Sequence, residues 1–111
     1  MAEGYEPKPI KELKKVSNGN VALIDNDNPT LVIIRDTQVN SYDYCVWIGT
    51  NCAFTYEAYN SQGACFAFLG RFSITNGTLA ISELYKKNLA DNNPATVSTG
   101  YPIIRAIYQL V

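Results

Sequence analysis

The dipeptide Asn76-Gly77 constrains this chain more than any other two residues in it. A type I′ turn needs positive φ at both central positions, which glycine adopts freely and asparagine tolerates, so the pair closes a two-residue β-hairpin. The flanks agree. Phe72 and Ile74 precede the turn at alternate positions, and Leu79 and Ile81 follow it. Closing the hairpin there sets Phe72 and Ile74 across from Leu79 and Ile81. Upstream, residues 42–48, 53–59 and 64–74 are apolar, rich in aromatic rings and almost uncharged, with Gly-, Asn- and Ser-rich connections between them. That pattern predicts antiparallel strands. In the last of these, Phe66, Phe68, Phe72 and Ile74 share one face, while Ala67, Arg71 and Ser73 take the other. Gly70 interrupts the run and predicts a bulge or a close approach of backbone.

Two further stretches, 30–35 and 101–111, are apolar on both faces, as a strand in the middle of a sheet would be. Residues 21–24 read as a short strand between turn-forming segments. Ahead of it, Pro7 and Pro9 remove amide donors and favour an extended N-terminal arm, residues 1–16, before a single β-rich domain, 17–111. The arm carries four lysines, Lys8, Lys11, Lys14 and Lys15, interleaved with Ile10 and Leu13. Those six residues read either as a solvated terminal segment or as an anchor for an acidic partner. After the hairpin, Ile81, Leu84, Tyr85 and Leu89 fit one face of a helix, with Glu83 and Lys87 spaced for an i,i+4 pair. The expectation is a helix of one to two turns over 82–89, although alternation accommodates several of the same residues. Residues 91–100 form a polar loop. The fold class is therefore mainly β: an antiparallel β-sandwich or small barrel of six to eight strands, with a short helix and an extended arm.

Composition narrows the function mostly by exclusion. Charged residues are 17% of the 111, against about 25% in ordinary soluble domains, so little charge is available to solvate the surface. That favours an oligomer. A net charge of −1 supplies no field to attract nucleic acid. No apolar run approaches the roughly 20 residues of a spanning helix, so no membrane insertion is expected. The opening residues hold acid and proline where an export signal would be basic and then apolar. Histidine is absent, which removes the commonest general base and most zinc sites. Cys45, Cys52 and Cys65 are spaced unlike a metal site and read as small buried side chains. Asp25 to Asp36 has the length of a calcium loop, but Pro29 and Thr30 occupy a ligand position and the glycine position. Asp36, Asp43, Glu57 and Glu83 are the carboxylates available for acid–base work, and each is expected to face water instead. No enzyme activity, metal or cofactor is expected.

The rings remain. Eight tyrosines and one tryptophan, with eleven asparagines, suit burial at a subunit interface or stacking on sugars, since both use a flat apolar face with a polar tip. Tyr42, Tyr44, Trp47, Tyr56 and Tyr59 are the expected interface or receptor face, a cell-surface glycan being the ligand in the second case; the competing reading puts most of them in the core. Finally, Ile10-Lys-Glu-Leu-Lys-Lys-Val16 with Val21-Ala-Leu-Ile-Asp25 resembles the openings of bacteriophage fibre and other virion-appendage proteins. The resemblance implies a non-enzymatic structural protein of the virion, assembled in the host cytoplasm. It would be a homo-oligomer, most often a trimer, whose N-terminal arm attaches to other virion proteins. The alternative is a small carbohydrate- or protein-binding module.

Overall fold

The computed structural model describes residues 11–17 and 28–110. Among the described residues the chain forms β1 (Leu13–Ser17), β2 (Thr30–Arg35), β3 (Asp43–Trp47), β4 (Ala53–Tyr59), β5 (Cys65–Thr75), β6 (Thr78–Asn88), β7 (Thr96–Val97) and β8 (Ile103–Leu110). They build two four-stranded antiparallel sheets, ordered β1-β8-β2-β3 and β4-β5-β6-β7, packed as a sandwich and not closed into a barrel. Hairpins join β2 to β3, β4 to β5 and β5 to β6. The chain changes sheets after β3, through a 3₁₀ turn at Thr50–Cys52, and again after β7. Both strands read as apolar on two faces, β2 and β8, lie inside the first sheet. The expected strand at 21–24 and the arm residues Lys8 and Ile10 fall outside the described residues. Leu13, Lys14 and Lys15 lie in β1, the edge strand paired to β8, with Leu13 opposite Leu110 and Lys15 opposite Tyr108. Lys11 precedes that strand and is exposed.

The central hairpin has the register its sequence dictates. Asn76 and Gly77 sit at φ 52° and 74°, and Phe72 faces Ile81 while Ile74 faces Leu79. Gly70 proves to be a close approach. A Cβ there would lie 2.3 Å from Cζ of Phe54, whose ring crosses over the glycine. The bulge falls one residue further on: Arg71 pairs with Glu83 and Phe72 with Ile81, leaving Ser82 as the extra residue of β6. The Ser82 hydroxyl donates to the Arg71 carbonyl at 3.1 Å.

That bulge explains why the expected helix over 82–89 is in fact strand. Ile81 and Leu84 both turn inward, against Phe72 and Gly70, although three positions separate them. Strict alternation would send them to opposite faces; one inserted residue restores the phase. The i,i+3 spacing of a helical stripe is thus the trace of a bulged strand. The adjacent i,i+4 spacing is likewise a strand feature, since Glu83 and Lys87 project from one face opposite Arg71 and Ala67.

Between the sheets, Val32, Ile34, Val46, Ile104 and Ile107 meet Phe54, Tyr56, Phe68, Phe72, Leu79 and Leu84, all buried. Phe54 packs 4.4 Å from Phe72, and Tyr56 stacks 4.6 Å from Phe68, centroid to centroid. Each fully buried side chain of this size contributes about 1.5–3 kcal/mol relative to exposure.

Candidate interaction surfaces

In a two-layer sandwich each sheet keeps one face outside, and alternation decides what that face shows. On the first sheet, Lys15, Tyr108, Leu31 and Trp47 form one row across β1, β8, β2 and β3. Ala106, Ile33 and Cys45 form the next. Leu13 and Leu110 extend the patch at one end. At the other, Ile103 stands beside Arg35 and Asp43, which pair at 3.0 Å. Arg105, the exposed extra residue of a bulge in β8 between Ile104 and Ala106, stands beside the second row, so the uncharged block is Tyr108, Leu31, Trp47, Ile33 and Cys45. Trp47 is 53% exposed, and Leu31, Ile33 and Tyr108 are only half-buried. Strands about 4.8 Å apart and a rise of about 3.4 Å per residue give the face roughly 400 Å² in plan, within the upper range of patches that monomers expose.

The outer face of the second sheet is different. Its rows run Ala53, Arg71, Glu83 and Glu57, Ala67, Lys87, with an apolar row of Thr55, Leu69, Tyr85 and Val97 between them. Charge interrupts it on both sides. Charge borders the apolar residues on both sheets; the first is the candidate interface because its uncharged block is two rows deep and holds the exposed Trp47.

A second feature lies at the end of the sandwich, where the loop at 36–42 joins β2 to β3. Asp36 is 1% exposed. Its Oδ2 accepts the amides of Val39 at 2.6 Å and Asn40 at 2.9 Å, and its Oδ1 accepts the Tyr56 hydroxyl at 3.1 Å. Burial alone would raise the pKa of this carboxyl, but the Asn40 and Val39 amides and the Tyr56 hydroxyl outweigh it and hold the pKa below its ordinary value. Burial and then the Asp36 charge push the Tyr56 phenol up in turn. Asn40 carries the network outward. Its Nδ2 donates to the Tyr44 hydroxyl at 2.6 Å and the Tyr59 carbonyl at 3.0 Å, and its Oδ1 accepts the Tyr42 amide at 3.0 Å. On the other flank the Gln38 side-chain amide donates to the Ser98 hydroxyl and, at 2.6 Å, to the Gly100 carbonyl. Between this loop and the β4–β5 turn lies an open groove of about 620 Å³, lined by Val39, Asn40, Tyr42, Tyr59, Asn60, Ser61 and Gln62.

The five aromatic residues expected to share one face are divided. Trp47 stands on the outer face of the first sheet. Tyr42, 67% exposed, and Tyr59, 59% exposed, line the groove. Tyr56 is 6% exposed and belongs to the core, while Tyr44 is half-buried with its ring centroid 5.0 Å from that of Tyr56. Strand phase explains the division: 44 and 46 in β3 point inward with 54, 56 and 58 in β4, which leaves 47 and 59 outside. Asp36, expected to face water, instead organises the loop. Only its place at a strand end before a polar run hinted at this. Asp43 meets the expectation in part, being exposed but ion-paired, and Glu57 is exposed. The three cysteines are free, and the expectation of burial fails: Cys45 is exposed on the outer face, and Cys52 and Cys65 are half-buried. Among the described residues no three His, Cys, Asp or Glu side chains gather as metal ligands.

What fold and surface define is a small antiparallel β-sandwich with an uncharged patch on the outer side of one sheet. No protein-family model, curated protein or solved structure matches the chain.

Proposed function

We propose that this chain is a non-enzymatic structural subunit that assembles with copies of itself through the outer face of the β1-β8-β2-β3 sheet, and that the assembly is a virion fibre or decoration. One observation carries the reading: Tyr108, Leu31, Trp47, Ile33 and Cys45 form a registered, uncharged block on the outer side of the sheet, bordered by Lys15, Arg105 and the Arg35–Asp43 pair. Interfaces between copies of one chain are more apolar than the general surface and rich in aromatic side chains. The virion setting is supported by the resemblance of residues 10–16 and 21–25 to fibre openings. A trimer is the expected stoichiometry on that basis, with the segment before β1 as the anchor.

Sedimentation velocity over a range of concentrations tests the core of the reading. The wild-type chain is expected to associate. Trp47→Glu, at an exposed position, is expected to leave the circular dichroism spectrum unchanged and to shift the protein to monomer, because a carboxylate buried in an apolar interface is strongly unfavourable. A wild-type chain that is monomeric up to its solubility limit refutes self-assembly. Association that Trp47→Glu does not weaken refutes the choice of face. Deletion of residues 1–10, which leaves β1 in place, separates anchoring from folding: the truncated chain is expected to fold and associate as before.

A further inference from the structure

We propose that the groove between the 36–42 loop and the β4–β5 turn binds an uncharged saccharide. The inference is independent of the assembly reading, none of whose interface residues line the groove. Its volume of about 620 Å³ lies inside the range of about 300–1,000 Å³ usual for small-molecule sites. The lining is the stronger argument. It combines two exposed tyrosines, Tyr42 and Tyr59, with amide and hydroxyl side chains from Asn40, Asn60, Ser61 and Gln62. A pyranose presents flat C–H faces and a rim of hydroxyls. Phenol rings pair with the former; the Gln62 side-chain amide, the Ser61 hydroxyl and Asn60 Nδ2 pair with the latter, while the Asn40 amide and Asn60 Oδ1 are spent on shaping the walls. None of the lining residues is charged, so a phosphate, sulfate or carboxylate ligand would find no counter-ion there. Of the nearby carboxylates, Asp36 is 1% exposed and spends both oxygens on protein donors, and Glu57 acts on the Tyr59 phenol without lining the groove.

The groove is also fixed in shape before any ligand arrives. Tyr42 has an exposed side chain, yet both of its backbone polar groups are held: its amide donates to Asn40 Oδ1, and its carbonyl accepts the Asp36 amide at 3.0 Å. Ser41, just before it, is kept at φ 62°, a left-handed conformation that a non-glycine residue adopts only at a cost and that concentrates at functional positions. The opposite wall is set in the same manner. Asn60 Oδ1 accepts the amides of Gln62 at 3.0 Å and Ala64 at 2.9 Å, and Gly63 turns the chain at φ 82°. Asn40 Nδ2, donating to the Tyr59 carbonyl, ties one wall to the other. Hydrogen bonds thus hold the backbones of Tyr42 and Tyr59 on facing walls of a polar cleft. Pre-organisation of this kind matters most for a weakly held, strongly hydrated ligand such as a sugar.

The test is a titration of the full-length ¹⁵N-labelled chain with methyl glycosides of glucose, galactose and mannose and with N-acetylglucosamine, followed by amide shifts, together with an array of uncharged and acidic oligosaccharides. At least one uncharged sugar is expected to shift the amides of 39–42 and 59–62 selectively. Tyr42→Ala, a change at an exposed side chain, is expected to weaken that binding by about tenfold or more without altering the melting temperature or the sedimentation profile. The proposal is overturned if none of the sugars moves those amides, if the shifts map elsewhere, if Tyr42→Ala binds like the parent, or if only sialylated or sulfated glycans bind.

Discussion

Replacing Gly70 by alanine sets two opposing effects against each other at one atom. Alanine lowers the entropy of the unfolded chain and by itself should stabilise by about 0.4–1 kcal/mol. In the native strand, however, the new Cβ would lie 2.3 and 2.4 Å from Cζ and Cε1 of Phe54 and 3.1 Å from the Glu83 carbonyl. Carbon atoms in contact sit about 3.5–4.0 Å apart, so the overlap exceeds an ångström. The ring has little freedom to retreat: Phe54 is 3% exposed, and the Phe72 ring lies 4.4 Å away. Overpacking of this kind costs about 1–3 kcal/mol, and a clash this deep against a held ring belongs toward the upper end. The net expectation is destabilisation by about 1–2.5 kcal/mol, or roughly 5–15 °C in melting temperature for a domain of this size. Urea unfolding followed by circular dichroism measures it, with the midpoint moving and the slope unchanged. Phe54→Leu in the Gly70→Ala background supplies the internal check, because removing the ring should relieve most of the alanine's cost and give a coupling of about 1 kcal/mol or more. Gly70→Ala as stable as the parent, or an alanine cost that is the same with leucine at 54, would show that Phe54 does not set the limit at this position.

Asp36→Asn is expected to destabilise by about 1.5–3 kcal/mol at neutral pH, since it removes charge-assisted hydrogen bonds to two amides and a phenol. It should also flatten the acid limb of the stability profile. The folded pKa of Asp36 is lowered from 3.8, so the unfolded state takes up the proton first, and the contribution is complete above that value and lost as pH falls through the folded pKa; urea midpoints measured from pH 7 to pH 2 that fall equally steeply in both proteins would refute this. Gly77→Ala should cost about 1–2 kcal/mol because φ 74° is left-handed, and an unchanged urea midpoint would argue against the turn. Asn40→Ala should lower protection of the 39–42 amides in hydrogen exchange while leaving the Phe68 and Leu84 amides fully protected; uniform loss of protection would mean that Asn40 supports the whole fold rather than one loop.

Much of the architecture was legible because it rests on period and turn chemistry. Asn76-Gly77 fixed the register of β5 on β6, and apolar residues on both faces marked β2 and β8 as interior strands. Gly70 was readable as an irregularity but not as which kind, because the ring that demands the glycine comes from β4, paired through the fold and not adjacent in sequence. Residues 82–88 misled for a related reason. A bulge is one residue long and leaves in the sequence only a phase shift, which at Ile81 and Leu84 coincides with helical spacing. The surfaces were less legible still. Tyr42, Tyr44, Trp47, Tyr56 and Tyr59 look alike as a cluster of rings, but the phase of β3 and β4 sends Trp47 and Tyr59 outward and Tyr44 and Tyr56 inward, while Tyr42 reaches the groove from the loop before β3. Asp36 was indistinguishable from a solvated carboxylate, since its role depends on a loop that folds back over it and on a hydroxyl twenty positions later.

The doubly apolar strands lead to the assembly proposal by a simple accounting of layers. A strand with apolar residues on both of its faces suits a sheet covered on both sides, as parallel sheets between helices are. In this sandwich the second sheet covers Val32, Ile34, Ile104 and Ile107 of the first, and that satisfies one face of β2 and β8. Leu31, Ile33 and Tyr108 on the other face have the composition of a core and the half-exposure of a surface. A single sandwich needs no such residues there. The second sheet shows the cheaper solution, with Glu57, Arg71, Glu83 and Lys87 facing outward on strands that bury their other side just as well. Both sheets carry charge on their outer sides, but on the first it borders an uncharged block two rows deep. The uncharged block follows directly if this part of the face is an inner layer of something larger, and a second copy of the chain offers a complementary surface of the same kind.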